Sequence, residues 1–232
     1  MIEEARAVAL NYTASLPDFI CAESVKRYED FNSQRKEKWR LKDTLLLQVS
    51  FFERKEHYRL IAVNKVPVDR SYESAGGAIT EGEFGTLLRR IFDPASQAAF
   101  HWVRWDKVRK RPALVYSFLV RPENSSFRLE YGDHDTAVER AVVGQHGFVY
   151  VDRDSHRVVR IEVEADVPAG FPVQSASTIV DYDFADVGGR QYLLPLDAEV
   201  RMRVAGKVRT RNEVEFRSYK KFAADATVTF ER

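Results

Sequence analysis

With 232 residues, 44% of them hydrophobic, and 36 basic against 35 acidic side chains, the chain has an ordinary globular composition and ample material for a sizeable core. The balanced charge carries no global nucleic-acid signature, and the single Cys21 excludes an internal disulfide and any multi-cysteine metal site. No apolar run approaches the roughly 18 residues of a bilayer-crossing helix, and Met1 to Arg6 read as the acidic start of a helix rather than as a signal peptide.

Residues 2 to 15 have the period of an amphipathic helix, with Ile2, Ala5, Val8, Ala9 and Tyr12 on one face and Leu16 and Pro17 ending it. A long strand is expected from Asp18 to about Phe31. After the charged turn Gln34 to Lys38, strands follow at Thr44 to Phe52 and Tyr58 to Val66. Residues 64 to 80 read as a loop. Thr80 with Glu83 three residues on has the form of a capping box for a helix carrying Phe84, Leu87, Leu88, Ile91 and Phe92, and Asp93 with Pro94 suits the start of a second short helix ending near Phe100.

From Trp102 onward the chain returns to strands. They are expected at Arg111 to Val120, Phe127 to Tyr131, Ala141 to Val143, Phe148 to Asp152 and Arg157 to Asp166, then near 177 to 186 and 191 to 204, with two more to follow. The alternation is clearest at Leu196, Ala198, Val200, Met202 and Val204, and again at Val159, Ile161, Val163 and Ala165, so one face of the sheet is buried and the other wet. Turns fall at Asp152 to His156, at Gly188 and Gly189, and at Ala205 to Lys207. No repeat or composition break divides the chain, which reads as one domain over 1–232. About ten antiparallel strands twist and curl, and two helices are too few to cover them flat. The fold class expected is therefore α+β: a strongly curved antiparallel sheet, a half-barrel, with helices on its concave side.

The chemistry-bearing residues give weak signals. Gly77 to Gly82 has the glycine spacing of a phosphate loop, but Glu83 and Phe84 stand where the lysine and hydroxyl residue are needed. Asp181 and Asp183 share one face of a strand and Asp186 follows, a pair that could do acid and base work; Val180, Tyr182 and Phe184 supply an apolar opposite face, which favours a solvated acidic edge. Asp133, His134 and Asp135 suit a turn, with a surface metal site as the alternative. The five histidines are scattered, no HExxH or GxSxG pattern accompanies them, and Cys21 sits in an apolar strand pattern without an evident activator. Between Phe100 and Arg111 aromatics alternate with cations. Trp105, Arg109, Lys110 and Arg111 suit a lipid surface or headgroup, or locally a nucleic acid, or else a strand whose Trp102 enters the core followed by a solvated basic turn.

The order of elements resembles that of the LolA/LolB-like superfamily over nearly the whole chain: an N-terminal helix, long strands, a mid-chain helix in Gly82 to Phe92, and hairpins such as Val149 to Ile161. Segments Asn11 to Cys21, Glu81 to Trp102, His146 to Ala165, Ala176 to Arg203 and Arg211 to Phe222 are similar to a group of bacterial envelope proteins. The resemblance implies a non-enzymatic protein of the periplasm or cell envelope, once an export signal is removed. It would hold a lipid or lipoprotein acyl chain without a cofactor. The helix face Phe84, Leu87, Leu88, Ile91 and Phe92 reads by itself first as core and otherwise, with Trp102, as the lining of such a site; an envelope protein is a further expected partner, with peripheral membrane contact. The alternative is an interaction or sensor module with a packed interior, and the third reading is a hydrolase using Asp181 and Asp183.

Overall fold

The computed structural model describes residues 1–32, 36–76, 82–132, 138–205 and 209–222. Helix α1 spans Ile2–Ser15. The strands are β1 (Phe19–Asp30), β2 (Arg40–Phe52), β3 (Lys55–Val63) and the short β4 (Val66–Pro67); helix α2 (Thr86–Phe92) intervenes; then come β5 (Ala99–Val108), β6 (Arg111–Val120), β7 (Arg128–Tyr131), β8 (Glu139–Val142), β9 (Gly144–Asp152), β10 (Val158–Asp166), β11 (Val173–Val187), β12 (Arg190–Val204) and β13 (Arg209–Lys221). Strands β7 and β8 form a hairpin of their own. The other eleven make one sheet in the order β4-β3-β2-β1-β13-β12-β11-β10-β9-β6-β5, antiparallel throughout and open, with β4 and β5 as its edges. The result is an α+β fold with one large, open antiparallel sheet and few helices.

The alternation that defines the strands also builds the core. Phe19, Cys21 and Val25 of β1 join Leu45, Leu47 and Val49 of β2, Ile161 and Val163 of β10 and Val214 and Phe216 of β13 in one buried cluster. Helix α1 adds Ala9 and Tyr12 to that cluster, and α2 adds Leu87, Leu88, Ile91 and Phe92. Small Ala5 and Ala9, both buried, let α1 lie close to its neighbours. Gly147 does the same inside the sheet: its φ of +153° is one that side chains rarely adopt, and a Cβ there would stand 1.9 Å from the Glu162 carbonyl oxygen on β10.

Most expected strands are present, several of them longer than expected. Two of the expected helices differ from those observed. Helix α2 begins at Thr86 with Gly85 as its N-cap and no capping side chain, so Phe84 precedes the helix, and Thr80 lies outside the described residues. The physical reason lies in Gly82 and Gly85, whose φ values of +103° and +141° interrupt any helix that would start at Thr80. The second helix is one 3₁₀ turn, Pro94–Ser96, in which Asp93 caps as expected by accepting from the Ala95 N–H at 2.8 Å. Of the two strands expected after residue 204, β13 is one, and residues 223–232 are outside the described set, as are Gly77 to Glu81, Asp133 to Ala137, and Gly206 and Lys207 of the expected turn. Among the described residues, no helix is long and apolar enough to cross a membrane.

Candidate functional site

The segment 82–92 is fastened under the inner face of the sheet. The Tyr182 hydroxyl donates to the Glu83 carbonyl at 2.9 Å, and the Gly82 N–H donates to the Glu56 carboxylate at 2.9 Å. Phe84 packs against Phe19 and Phe216, each with ring centres 5.3 Å away, while Phe92 stacks on Phe100 at 5.2 Å. Phe84, Ile91 and Phe92 are wholly buried, and Leu87 and Leu88 nearly so. These five expected lining residues are thus together, and what they meet in the described structure is other core side chains.

One groove opens beside them. It has a volume of about 310 Å³, lies along α1 and is lined by Ala7, Val8, Asn11 and Tyr12 on one side and by Leu88, Arg157, Val158 and Leu193 on the other. Four separate parts of the chain converge on it: α1, α2, the start of β10 with its preceding turn, and β12. Tyr12 sets the spacing, because its buried hydroxyl donates to the Leu193 carbonyl at 2.8 Å and its ring meets Tyr182 edge-on. Burial pushes the Tyr12 hydroxyl well above the ordinary phenol range, so it stays a neutral donor. Arg157 brings a cation to an otherwise largely apolar lining. A second depression, of about 480 Å³, is formed by Val167 to Gln174 with Ala205, so it is nearly all one loop folded on itself.

Trp102 does not enter the core. It is 56% exposed and Trp105 55% exposed, on edge strand β5. The register shift between Trp102 and Arg104 inserts Val103 as an extra residue, so Trp102 lies opposite Tyr116 and Trp105 opposite Leu114. Because Leu114 and Tyr116 are two apart on β6, the bulge places both tryptophans on one face of the sheet. Regular alternation would have put them on opposite faces.

Two of the three cations at the turn of the same hairpin are paired within the molecule. Arg109 pairs with Asp197 on β12, and Arg111 pairs with Asp183 on β11 at 3.0 Å, neither of them a strand that neighbours the hairpin in the sheet. Lys110 stands exposed at the tip, where it and Arg109 take φ values of +70° and +47°, the geometry of a tight hairpin turn. Asp181 receives two bonds from Arg160, at 2.5 and 2.7 Å, and this contact raises the Arg160 guanidinium above its ordinary range. The acidic strand is therefore matched by arginines rather than left to solvent. Phe184, expected on the buried face, is 41% exposed, with Arg111 and Arg157 over its ring at 5.1 and 5.7 Å.

Cys21 is fully buried, and burial, reinforced by Glu23 and Glu56, pushes its thiol well above the usual value, away from the thiolate a nucleophile needs. His146 contacts Asp166 at 2.7 Å, and His156 approaches Glu4 of α1 at 3.7 Å. Among the described residues, no group of three or more His, Cys, Asp and Glu side chains is placed to hold a metal ion.

Neither family models nor curated proteins match the chain. Solved structures do. An outer membrane lipoprotein-sorting protein domain from Vibrio parahaemolyticus is 11% identical with a TM-score of 0.39, and the match covers 98% of this chain and 95% of that one. A DUF1329 family protein from Desulfovibrio piger is 9% identical with a TM-score of 0.41 over 97% and 95% of the two chains, and a LolA superfamily protein from Nitrosomonas europaea is 7% identical with a TM-score of 0.37 over 94% of each. All three combine broad coverage with low identity.

Proposed function

We propose that this protein binds a hydrophobic ligand without catalysis, and that the ligand is a single acyl chain lying in the groove between α1 and the inner face of the sheet. The observation that carries the reading is the convergence of Val8, Tyr12, Leu88, Val158 and Leu193, from four parts of the chain, on one apolar groove of about 310 Å³. That volume lies at the small end of ligand sites, where convergence of distant elements is the usual architecture. Each buried methylene of an acyl chain contributes about 0.8 kcal/mol, so even a partial chain is held usefully. Arg157 supplies a charge partner for a carboxylate or phosphate head. Leu88 is the one floor residue shared with the lining expected from sequence; Phe84, Leu87, Ile91 and Phe92 support that floor from within, so that α2 must keep its place for the groove to persist. The engagement of Asp181 and Asp183 by Arg160 and Arg111 favours binding over hydrolysis. The layout shared with LolA/LolB-like proteins fits a place in the bacterial envelope.

Titration of delipidated protein with a fluorescent fatty acid tests the reading. Saturable uptake near one per chain is expected, weakened at least tenfold by Val8→Trp, which fills the groove from the half-exposed side of α1. Arg157→Ala should weaken the fatty acid and leave the corresponding alcohol unaffected. Absence of uptake, or uptake indifferent to Val8→Trp, would overturn it.

A further inference from the structure

Strand β5 ends the sheet, with nine of its ten residues exposed or only partly buried, so its outer edge has no described neighbour. Exposed strand edges recruit other strands unless something blocks them. Its sequence from Phe100 to Lys107 is Phe-His-Trp-Val-Arg-Trp-Asp-Lys, which is complementary to itself when read in the opposite direction. Setting one copy antiparallel to another about an axis between Val103 and Arg104 brings Trp102 opposite Trp105, His101 opposite Asp106 and Phe100 opposite Lys107.

The faces agree with that arrangement only because of the bulge. Phe100, Trp102, Trp105 and Lys107 lie opposite Phe118, Tyr116, Leu114 and Pro112, which alternate along one face of β6, whereas His101, Arg104 and Asp106 lie opposite Ser117, Val115 and Ala113 on the other. Each of these three pairs across the proposed axis therefore joins residues on the same face: tryptophan to tryptophan and phenylalanine to lysine on one side, histidine to aspartate on the other. Without the extra Val103, Trp102 and Trp105 would face apart and the pairing would fail. Cross-strand aromatic and opposite-charge pairs are the contacts that stabilise neighbouring strands.

We propose that β5 is a homodimer interface, pairing antiparallel with β5 of a second copy of this chain through a two-fold axis between Val103 and Arg104. Such a contact is isologous, each pair occurring twice, and it joins two open sheets into one continuous sheet. It is independent of the groove, which lies along α1.

Sedimentation of the full chain over a concentration series, joined to cysteine crosslinking, tests this. A monomer–dimer equilibrium is expected, with Trp102→Ala plus Trp105→Ala weakening it at least tenfold; both side chains are exposed, so the fold is retained and circular dichroism checks it. His101→Asp alone and Asp106→His alone should each weaken the dimer by placing like residues opposite one another, and the double swap should restore it. Val103→Cys should give a disulfide-linked dimer on mild oxidation, because residues beside the axis come within disulfide reach while Cys21 stays buried; Ala99→Cys, far from the axis, should not. A monomer mass throughout the series, or a dimer untouched by the tryptophan changes and not crosslinked at 103, would overturn the proposal.

Discussion

Arg27 and Asp43 form a forked ion pair between β1 and β2, Nε to Oδ1 at 2.6 Å and Nη2 to Oδ2 at 2.5 Å, with the arginine side chain only 5% exposed. The same guanidinium donates to the carbonyls of Ala75 and Gly76, so one residue joins the sheet to the segment that leads toward α2. Removing one partner of such a pair strands the other in a place with little water. Asp43→Ala is expected to cost about 3–5 kcal/mol in urea unfolding, and Arg27→Met combined with Asp43→Leu should recover a large part of that loss. Equal costs for the single and double changes would show that the pair is not what holds this corner.

Gly147 offers a test of the sheet. A methyl group at this position would have to occupy space already held by the Glu162 carbonyl, in a backbone conformation that favours glycine. Gly147→Ala should lower stability by about 2 kcal/mol or more, visible as an earlier urea midpoint. Gly170→Ala, at a loop glycine with open space around its Cβ, should cost markedly less despite its own positive φ.

Asp30, the last residue of β1, holds the backbone of Asn32 and Lys38. Burial opposes its ionisation, but the backbone N–H groups of Asn32 and Lys38, at 2.8 and 3.2 Å, and Arg209 at 2.8 Å outweigh that and hold its carboxyl below the usual range. A carboxyl lowered in the folded state contributes stability that is present above its unfolded value, about 3.9, and is lost as pH falls through the folded one. Asp30→Asn should therefore be less stable than the parent at pH 7, and the gap should close below about pH 4. A gap that is constant with pH would assign the effect to packing.

The tyrosines carry the opposite limb of the pH profile. Burial raises the hydroxyls of Tyr12, Tyr58, Tyr182 and Tyr219 above the ordinary phenol value, with nearby carboxylates adding to it. Their contribution is complete below about pH 10 and is lost as pH rises beyond it, because the unfolded chain ionises first. Absorbance at the phenolate band should show these four of the ten tyrosines ionising together with the loss of circular dichroism. Ionisation of all ten before any unfolding would contradict their burial.

The strands were legible wherever one face is buried and the other wet, as at Val159, Ile161 and Val163, because a period of two leaves few alternatives. The start of α2 was misread because Phe84 extends the apolar period of the helix, whereas the conformations of Gly82 and Gly85 decide where the helix can begin. Trp102 was misplaced for a different reason: whether a strand lies in the middle or at the edge of a sheet depends on which strands flank it, and the apolar content of β5 is the same in either place. The groove was illegible for that reason too, since Tyr12, Leu88, Val158 and Leu193 come together only when the whole sheet is assembled.

The position of β1 has a consequence for how the chain is made. Its two neighbours are β2, which follows at once, and β13, the last strand described. During synthesis the first hairpin can close early, but the other side of β1, with Phe19, Cys21 and Val25 facing a half-built interior, waits until β13, which begins at Arg209, has emerged. Contacts so distant along the chain form slowly, and an open strand beside exposed apolar side chains is where nascent proteins pair wrongly. Strand β13 thus closes the middle of the sheet rather than extending its margin, and a chain cut short before it would lack its centre.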